Sequence, residues 1–153
     1  FVDSYFDLLT VAQAFHWFDY KQSITEFKRV IKSDGVIVIF RKCAKNGGKI
    51  LPEFVWKVLS NYFDFQEDLK SQDSFSFMSK AGFKSCELIE FDYEDIYTPD
   101  DFFGFLRTHS TYNLVPDVRK EEYLKEIKNK IQDYLEKGLY VYSGKIEIWC
   151  LQK

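Results

Sequence analysis

The chain has 153 residues, of which 46% are hydrophobic and 29% charged, and its formal net charge is −3. That length suits one domain, and the composition excludes a disordered chain. The longest unbroken apolar run, Val36 to Phe40, is far shorter than the roughly 20 residues of a bilayer span, and the acidic balance argues against a nucleic-acid partner.

Phe6 to Ala12 reads as a strand, rich in Phe, Leu and Val without helical periodicity. Asp19 stands at an N-cap position, and Gln22 three residues on completes a capping-box pattern. Ile24, Phe27 and Ile31 then recur at the spacing of a helix lying on a sheet. Lys28, Arg29 and Lys32 fall near the end of that helix, where the macrodipole favours cations. Ser33-Asp34-Gly35 predicts its stop, with Gly35 in the left-handed conformation. Val36 to Phe40 is a continuous apolar run, the pattern of a parallel strand covered on both faces. Strand, helix and strand over residues 6–40 make a βαβ crossover.

Lys45 to Lys49, with Gly47-Gly48, reads as a loop. Pro52 is placed at N1 of a helix through about Tyr62, with Phe54, Val55, Val58, Leu59 and Tyr62 on one face. Asp64 to Ser71 is polar, and Asp73 or Ser74 caps a short helix to Ala81, stopped by Gly82. Phe83 to Phe91 reads as a strand. Thr98, Pro99 and Asp101 fit N-cap, N1 and N3 of a helix carrying Phe102, Phe103, Phe105 and Leu106. Pro116-Asp117 opens the longest predicted helix, which ends near Lys137 with Leu124, Ile127, Ile131 and Leu135 as its stripe. Lys120, Lys125, Lys128 and Lys130 lie mostly off that stripe and read as a solvated face. Lys145 to Gln152 alternates, with Ile146, Ile148 and Cys150 on one side and Glu147, Trp149 and Leu151 on the other.

Cys43, Cys86 and Cys150 are far apart and show no CxxC spacing. A disulfide framework and a metal site are therefore not expected, and a reducing cytoplasm fits best.

The segment FDLLTVAQAFHWFD at 6–19, followed by FKRVIKSDGVIVIF at 27–40, resembles the second half of a class I S-adenosylmethionine-dependent methyltransferase. The likeness is nearest to the small-molecule branch that includes trans-aconitate methyltransferases. That branch has A-x-x-x-H-W at the end of its fourth strand, matched here by Ala12, His16 and Trp17. Arg29 to Gly35 stands where the branch has R-V-L-K-P-G-G, with Ser33-Asp34 replacing Pro-Gly. Ala81-Gly82-Phe83 resembles the approach to the sixth strand, and FLRTHSTYN at 105–113 the stretch between the sixth and seventh.

The resemblance implies an α/β fold: the second half of a Rossmann-like sheet, with strands four, five, seven and six, the last antiparallel, and helices on both faces. Residues 1–153 would be the C-terminal portion of one methyltransferase domain. The glycine-rich turn and ribose-binding acid of the family have no match here, because Gly47-Gly48 follows the fifth strand rather than the first. Helical insertions at 44–74 and 95–138 would cap the acceptor side. The implied activity is methyl transfer from S-adenosylmethionine to a small-molecule acceptor, a carboxylate being one candidate, by a longer enzyme of which this piece alone is expected to be inactive.

By the same resemblance, Ala12, Gln13 and Ala14 would face the methionine part of S-adenosylmethionine. His16 would act as base, and Trp17 would border the acceptor. Arg107, His109, Ser110 and Tyr112 would contact an acceptor carboxylate. Each has a plainer alternative: His16 bracing its turn, Trp17 packing in the core, and 109–113 satisfying its own backbone. A second expectation is non-catalytic, a half-domain that pairs with another copy through the Phe6–Ala12 edge. A dehydrogenase of related architecture fits the alternating final strand less well. Neither a membrane nor a nucleic acid is an expected partner.

Overall fold

The computed structural model describes residues 1–45, 51–63, 78 and 80–153. The expected loop at Gly47-Gly48, the polar stretch at 64–71 and the helix start at Asp73 or Ser74 lie outside the described residues.

Strand β1 (Phe6–Ala12) is followed by helix α1 (Tyr20–Val30), strand β2 (Ile31–Ala44) and helix α2 (Glu53–Leu59). Strand β3 (Ser85–Tyr97), helices α3 (Pro99–Thr108) and α4 (Lys120–Ile131), and strand β4 (Tyr140–Gln152) complete the chain. The strands form one sheet in the order β1-β2-β4-β3. β1 and β2 are parallel, in register from Leu8↔Val36 to Ala12↔Phe40. β4 runs against both neighbours. Along β2 its partners fall as the numbers rise, with Arg41 on Glu147 and Cys43 on the Lys145 carbonyl. Along β3 they do the same: the Lys84 amide on the Gln152 carbonyl, then Glu90 on Lys145 and Glu94 on Ser143. This is the expected 4-5-7-6 arrangement with its last strand antiparallel.

Local chemistry accounts for the helix starts. Asp19 Oδ1 accepts from the Gln22 amide at 2.8 Å and opens α1. Thr98 Oγ1 accepts from the Asp101 amide at 3.2 Å and opens α3, with Pro99 as its first residue. Pro52 is the N-cap of α2 rather than N1, and α2 stops at Leu59, short of Tyr62. The five apolar positions predicted for that face are all buried.

The end of α1 differs from the expectation. The chain leaves the helix at Val30 and enters β2 directly, and Gly35 does not take a positive φ. Instead the ladder jumps between Phe6↔Ile31 and Leu8↔Val36, so that Lys32 to Gly35 form a bulge in β2. A Cβ on Gly35 would lie 2.6 Å from Ile31 Cγ1 and 3.0 Å from the Asp7 carbonyl oxygen. Close approach requires glycine there, not handedness.

The long helix expected over 117–137 is also broken. A 3-10 turn at Asp117–Arg119 precedes α4, and another at Gln132–Tyr134 follows it. Lys137 and Gly138 both have positive φ, 51° and 81°. Glu136 and Leu139 exchange amide–carbonyl bonds of 2.8 and 2.9 Å across them. That is a two-residue hairpin turn whose twist suits the strand that follows, and a helix cannot continue through it. Tyr123 joins Ile127 and Ile131 as the buried face of α4, while Leu124 and Leu135 are half-buried.

The chain divides into two compact units. The first takes in Phe1–Cys43, Lys70–Asp92 and Lys145–Lys153. Its core gathers Val11, Phe15, Ile24, Ile31, Ile37, Ile39, Met78, Trp149 and Leu151. The alternation of β4 resolves here: the side with Glu147, Trp149 and Leu151 is the buried one. Lys28, near the end of α1, donates to the Ala81 carbonyl and, at 2.8 Å, to the Gly82 carbonyl. The second unit takes in Ala44–Leu69 and Tyr93–Gly144, and its core joins α2, α3 and α4 through Val55, Leu59, Phe102, Leu106, Tyr123 and Ile127.

Candidate functional site

In open α/β sheets ligands bind outside the carboxyl ends of the strands. At that end of β1 the chain turns sharply. Gln13 has φ 51°, a left-handed conformation uncommon for a residue with a side chain. Its amide N–H donates to the Phe40 carbonyl at 3.0 Å, fixing the turn to β2. A 3-10 turn follows over Phe15–Trp17, closed by Trp17 N–H on the Ala14 carbonyl at 3.0 Å. Phe15 points into the core and stacks on Tyr20, with ring centroids 4.7 Å apart. That leaves His16 and Trp17 outside. Their rings are 4.9 Å apart, and Trp17 is 65% exposed.

Gln13, Ala14, Phe15, His16, Ile39, Phe40, Arg41 and Trp149 line a hollow beside this turn. Its enclosed volume is about 10 Å³, the space of a single water. Arg41 Nε donates to Glu147 Oε2 at 2.8 Å, and its guanidinium carbon lies 5.2 Å from the centroid of the Trp149 ring. The Cys43 thiol donates to Glu147 Oε1 at 3.4 Å. Burial, with the Glu147 charge second, pushes that thiol up to about 11. Partial burial and then the positive Arg41 hold the His16 imidazole below its ordinary value. Trp149 is 2% exposed, and its indole N–H has no acceptor among the described residues.

Of the residues anticipated from the sequence, Ala12, Gln13, Ala14, His16 and Trp17 share this turn. The others lie in the second unit. Arg107 lines a cleft of about 330 Å³ with Asp100, Phe103, Leu124, Lys125 and Lys128. His109, Ser110 and Tyr112 are not in that lining. His109 caps the following 3-10 turn, its Nδ1 accepting from the Thr111 amide at 3.3 Å and lying 2.9 Å from Thr111 Oγ1. Ser110 begins that turn, and the Lys120 ammonium sits 4.9 Å over the Tyr112 ring. Arg41, Glu147 and Trp149 were not anticipated. The one sequence signal was the alternation of β4, which put Glu147 on the same side as Trp149 and Leu151. Among the described residues no three His, Cys, Asp or Glu side chains gather as metal ligands, and no helix is long and apolar enough to cross a membrane.

A family model described as "Methyltransferase domain" matches residues 1–39. That stretch holds β1, the Gln13 turn, α1 and the start of β2. Among solved structures, one assigned as a type II methyltransferase from Anaeromyxobacter dehalogenans superposes with a TM-score of 0.58 at 20% identity. The match covers 99% of this chain and 65% of that one. One assigned as a methyltransferase from Bacillus halodurans gives 0.51 at 18% identity, covering 100% of this chain and 66% of that one. The YcgJ protein of Bacillus subtilis gives 0.52 at 16% identity, with 100% and 66% covered. A search of curated proteins gives no match. These likenesses show the fold, a Rossmann-like sheet as in those methyltransferases. The chain spans about two thirds of the length of each.

Proposed function

We propose that the chain is part of an S-adenosylmethionine-dependent methyltransferase acting on a small molecule, with a carboxylic acid as the candidate acceptor. The observation that carries this reading is the left-handed turn at Gln13, at the carboxyl end of β1 and inside the 1–39 match. Ala12 and Gln13 are exposed there, and Trp17 is exposed on the same turn.

Such a wall fits one side of the cofactor. Backbone groups suit the polar methionine part, and an aromatic face suits a sulfonium cation. The hollow is far too small to enclose the group, so the described residues of the first unit supply a wall and not a whole pocket. When bound, the cofactor supplies an electrophilic methyl carbon. The chain's own residues align the acceptor and keep water away. His16, held neutral near pH 7, takes a proton from an acceptor hydroxyl or amine, whereas a carboxylate acceptor is already ionised and needs no base. Three free cysteines fit a reducing compartment such as the cytoplasm.

Calorimetric titration with S-adenosylmethionine, using the protein as its own cells make it, tests the reading. Saturable binding that Ala12→Trp abolishes without loss of folding supports it. No binding by the folded wild type refutes it.

One observation favours a second reading, self-association. β1 ends the sheet, and Leu8 on it is 56% exposed. An open strand edge invites pairing with a second copy, β1 to β1. Light scattering showing a monomer at working concentration would reject this.

A further inference from the structure

Arg41 reaches the hollow at the end of β1 from its neighbour β2. Among the described residues one edge of its guanidinium is occupied, by the 2.8 Å bond from Nε to Glu147. One face rests on Trp149. Both Glu147 oxygens are engaged, Oε2 accepting from Arg41 Nε and Oε1 from the Cys43 thiol. Nη1 and Nη2 of Arg41 have no acceptor among the described residues. A purely structural Arg–Glu pair tends to close side-on through two parallel bonds, whereas here the terminal fork is left open. Glu147 is buried, whereas the Arg41 side chain is 31% exposed, so a ligand can reach the outer edge of its guanidinium. Two further groups share the hollow: His16, and Trp149 with its buried indole N–H lacking an acceptor.

We propose that Arg41, oriented by Glu147 and Trp149, is the anchor for a carboxylate on the acceptor, gripped end-on through Nη1 and Nη2 beside His16. The assignment rests on the methyl-transfer reading and adds the residue that selects the acceptor. A planar fork held on one edge and one face loses little freedom on binding, which a lysine at the same position could not match. The cations around Arg107 differ in this respect, because Lys125 and Lys128 are exposed and no bond from either ammonium to another described residue fixes them.

The test uses the ¹⁵N-labelled chain near the neutral pH at which His16 is uncharged. Succinate, citrate and inorganic phosphate are titrated at constant ionic strength. The three indole N–H signals, assigned by Trp→Phe variants, are the readout. Succinate or citrate is expected to shift the Trp149 signal saturably and to leave Trp56 unmoved. Arg41→Lys, which keeps the charge and most of the packing, weakens that binding at least about tenfold, and Glu147→Gln weakens it less. An unchanged affinity in folded Arg41→Lys, no Trp149 response to either acid, or a preference for phosphate overturns the proposal. S-adenosylmethionine is titrated separately into the protein as its own cells make it. Failure to bind there would refute the methyl-transfer reading without touching the carboxylate result.

Discussion

The amide of Gln13 donates to the carbonyl oxygen of Phe40 at 3.0 Å while Gln13 itself holds φ at 51°. One hydrogen bond thus secures a strained residue where β1 meets the candidate site. Left-handed conformations disfavour side chains, β-branched ones most. Gln13→Val is expected to lower stability by about 1–3 kcal/mol. Gln13→Gly should stay within about 1 kcal/mol of wild type, because relief of strain offsets a more flexible unfolded chain. Urea unfolding of both variants measures the contrast, and an equal loss in the two would show that the turn is not strained.

Gly35 gives a second, independent prediction. The bulge leaves no room for a methyl group, which would meet Ile31 Cγ1 at 2.6 Å and the Asp7 carbonyl at 3.0 Å. Gly35→Ala should destabilise by about 1–3 kcal/mol, as overpacking does elsewhere. A variant as stable as wild type in thermal unfolding would mean that β1 and β2 do not approach this closely.

Cys43 is held as a thiol by burial and by the Glu147 charge, up to about 11. A folded value above the unfolded one adds stability that is complete below the unfolded value and is lost as pH rises through the folded one. Stability should therefore fall between the unfolded value near 9 and about 11, and Cys43→Ser should flatten that fall. At mildly alkaline pH a thiol reagent should leave Cys43 unmodified in the native protein. Rapid native labelling of Cys43, read by peptide mass, would contradict this.

His16 shows the opposite sign. Its folded value is depressed, by burial first and Arg41 second. Its contribution is present above the unfolded value near 6.5 and is lost as pH falls through the folded value. The wild type should lose stability on acidification below that point more steeply than His16→Gln. NMR titration of the His16 ring reads the midpoint directly. An Arg41→Met variant should move it upward, towards the unperturbed value, and no movement would separate the two residues.

What the sequence revealed follows the range of the interactions. The helix starts at Asp19 and Thr98 were legible because a cap is settled within three residues. β1 was legible to the residue, and so was its parallel pairing with β2 through a helical crossover. Gly35 was misread because close approach to Ile31 and Asp7 is a property of the folded sheet, while Ser-Asp-Gly is locally a stop signal. β3 and β4 were read short. Asp92, Glu94 and Asp95 in β3 and Ser143-Gly144 in β4 interrupt the strand pattern locally, so the strand-forming residues beyond them, Ile96, Tyr97 and Tyr140 to Tyr142, were left out. At the candidate site, the Ala12 to Trp17 turn could be found from its pattern. Arg41 and Glu147 could not, because they lie far apart in the chain and only the antiparallel placement of β4 beside β2 brings them within 2.8 Å.

The central claim is that the turn from Ala12 to Trp17 is one wall of a cofactor site. Photolabelling with methyl-tritiated S-adenosylmethionine, on the protein as its own cells make it, tests this most directly. The account predicts label in the peptide that holds residues 12–17, competed away by S-adenosylhomocysteine. Label that falls elsewhere in the chain, or that survives competition, would contradict it.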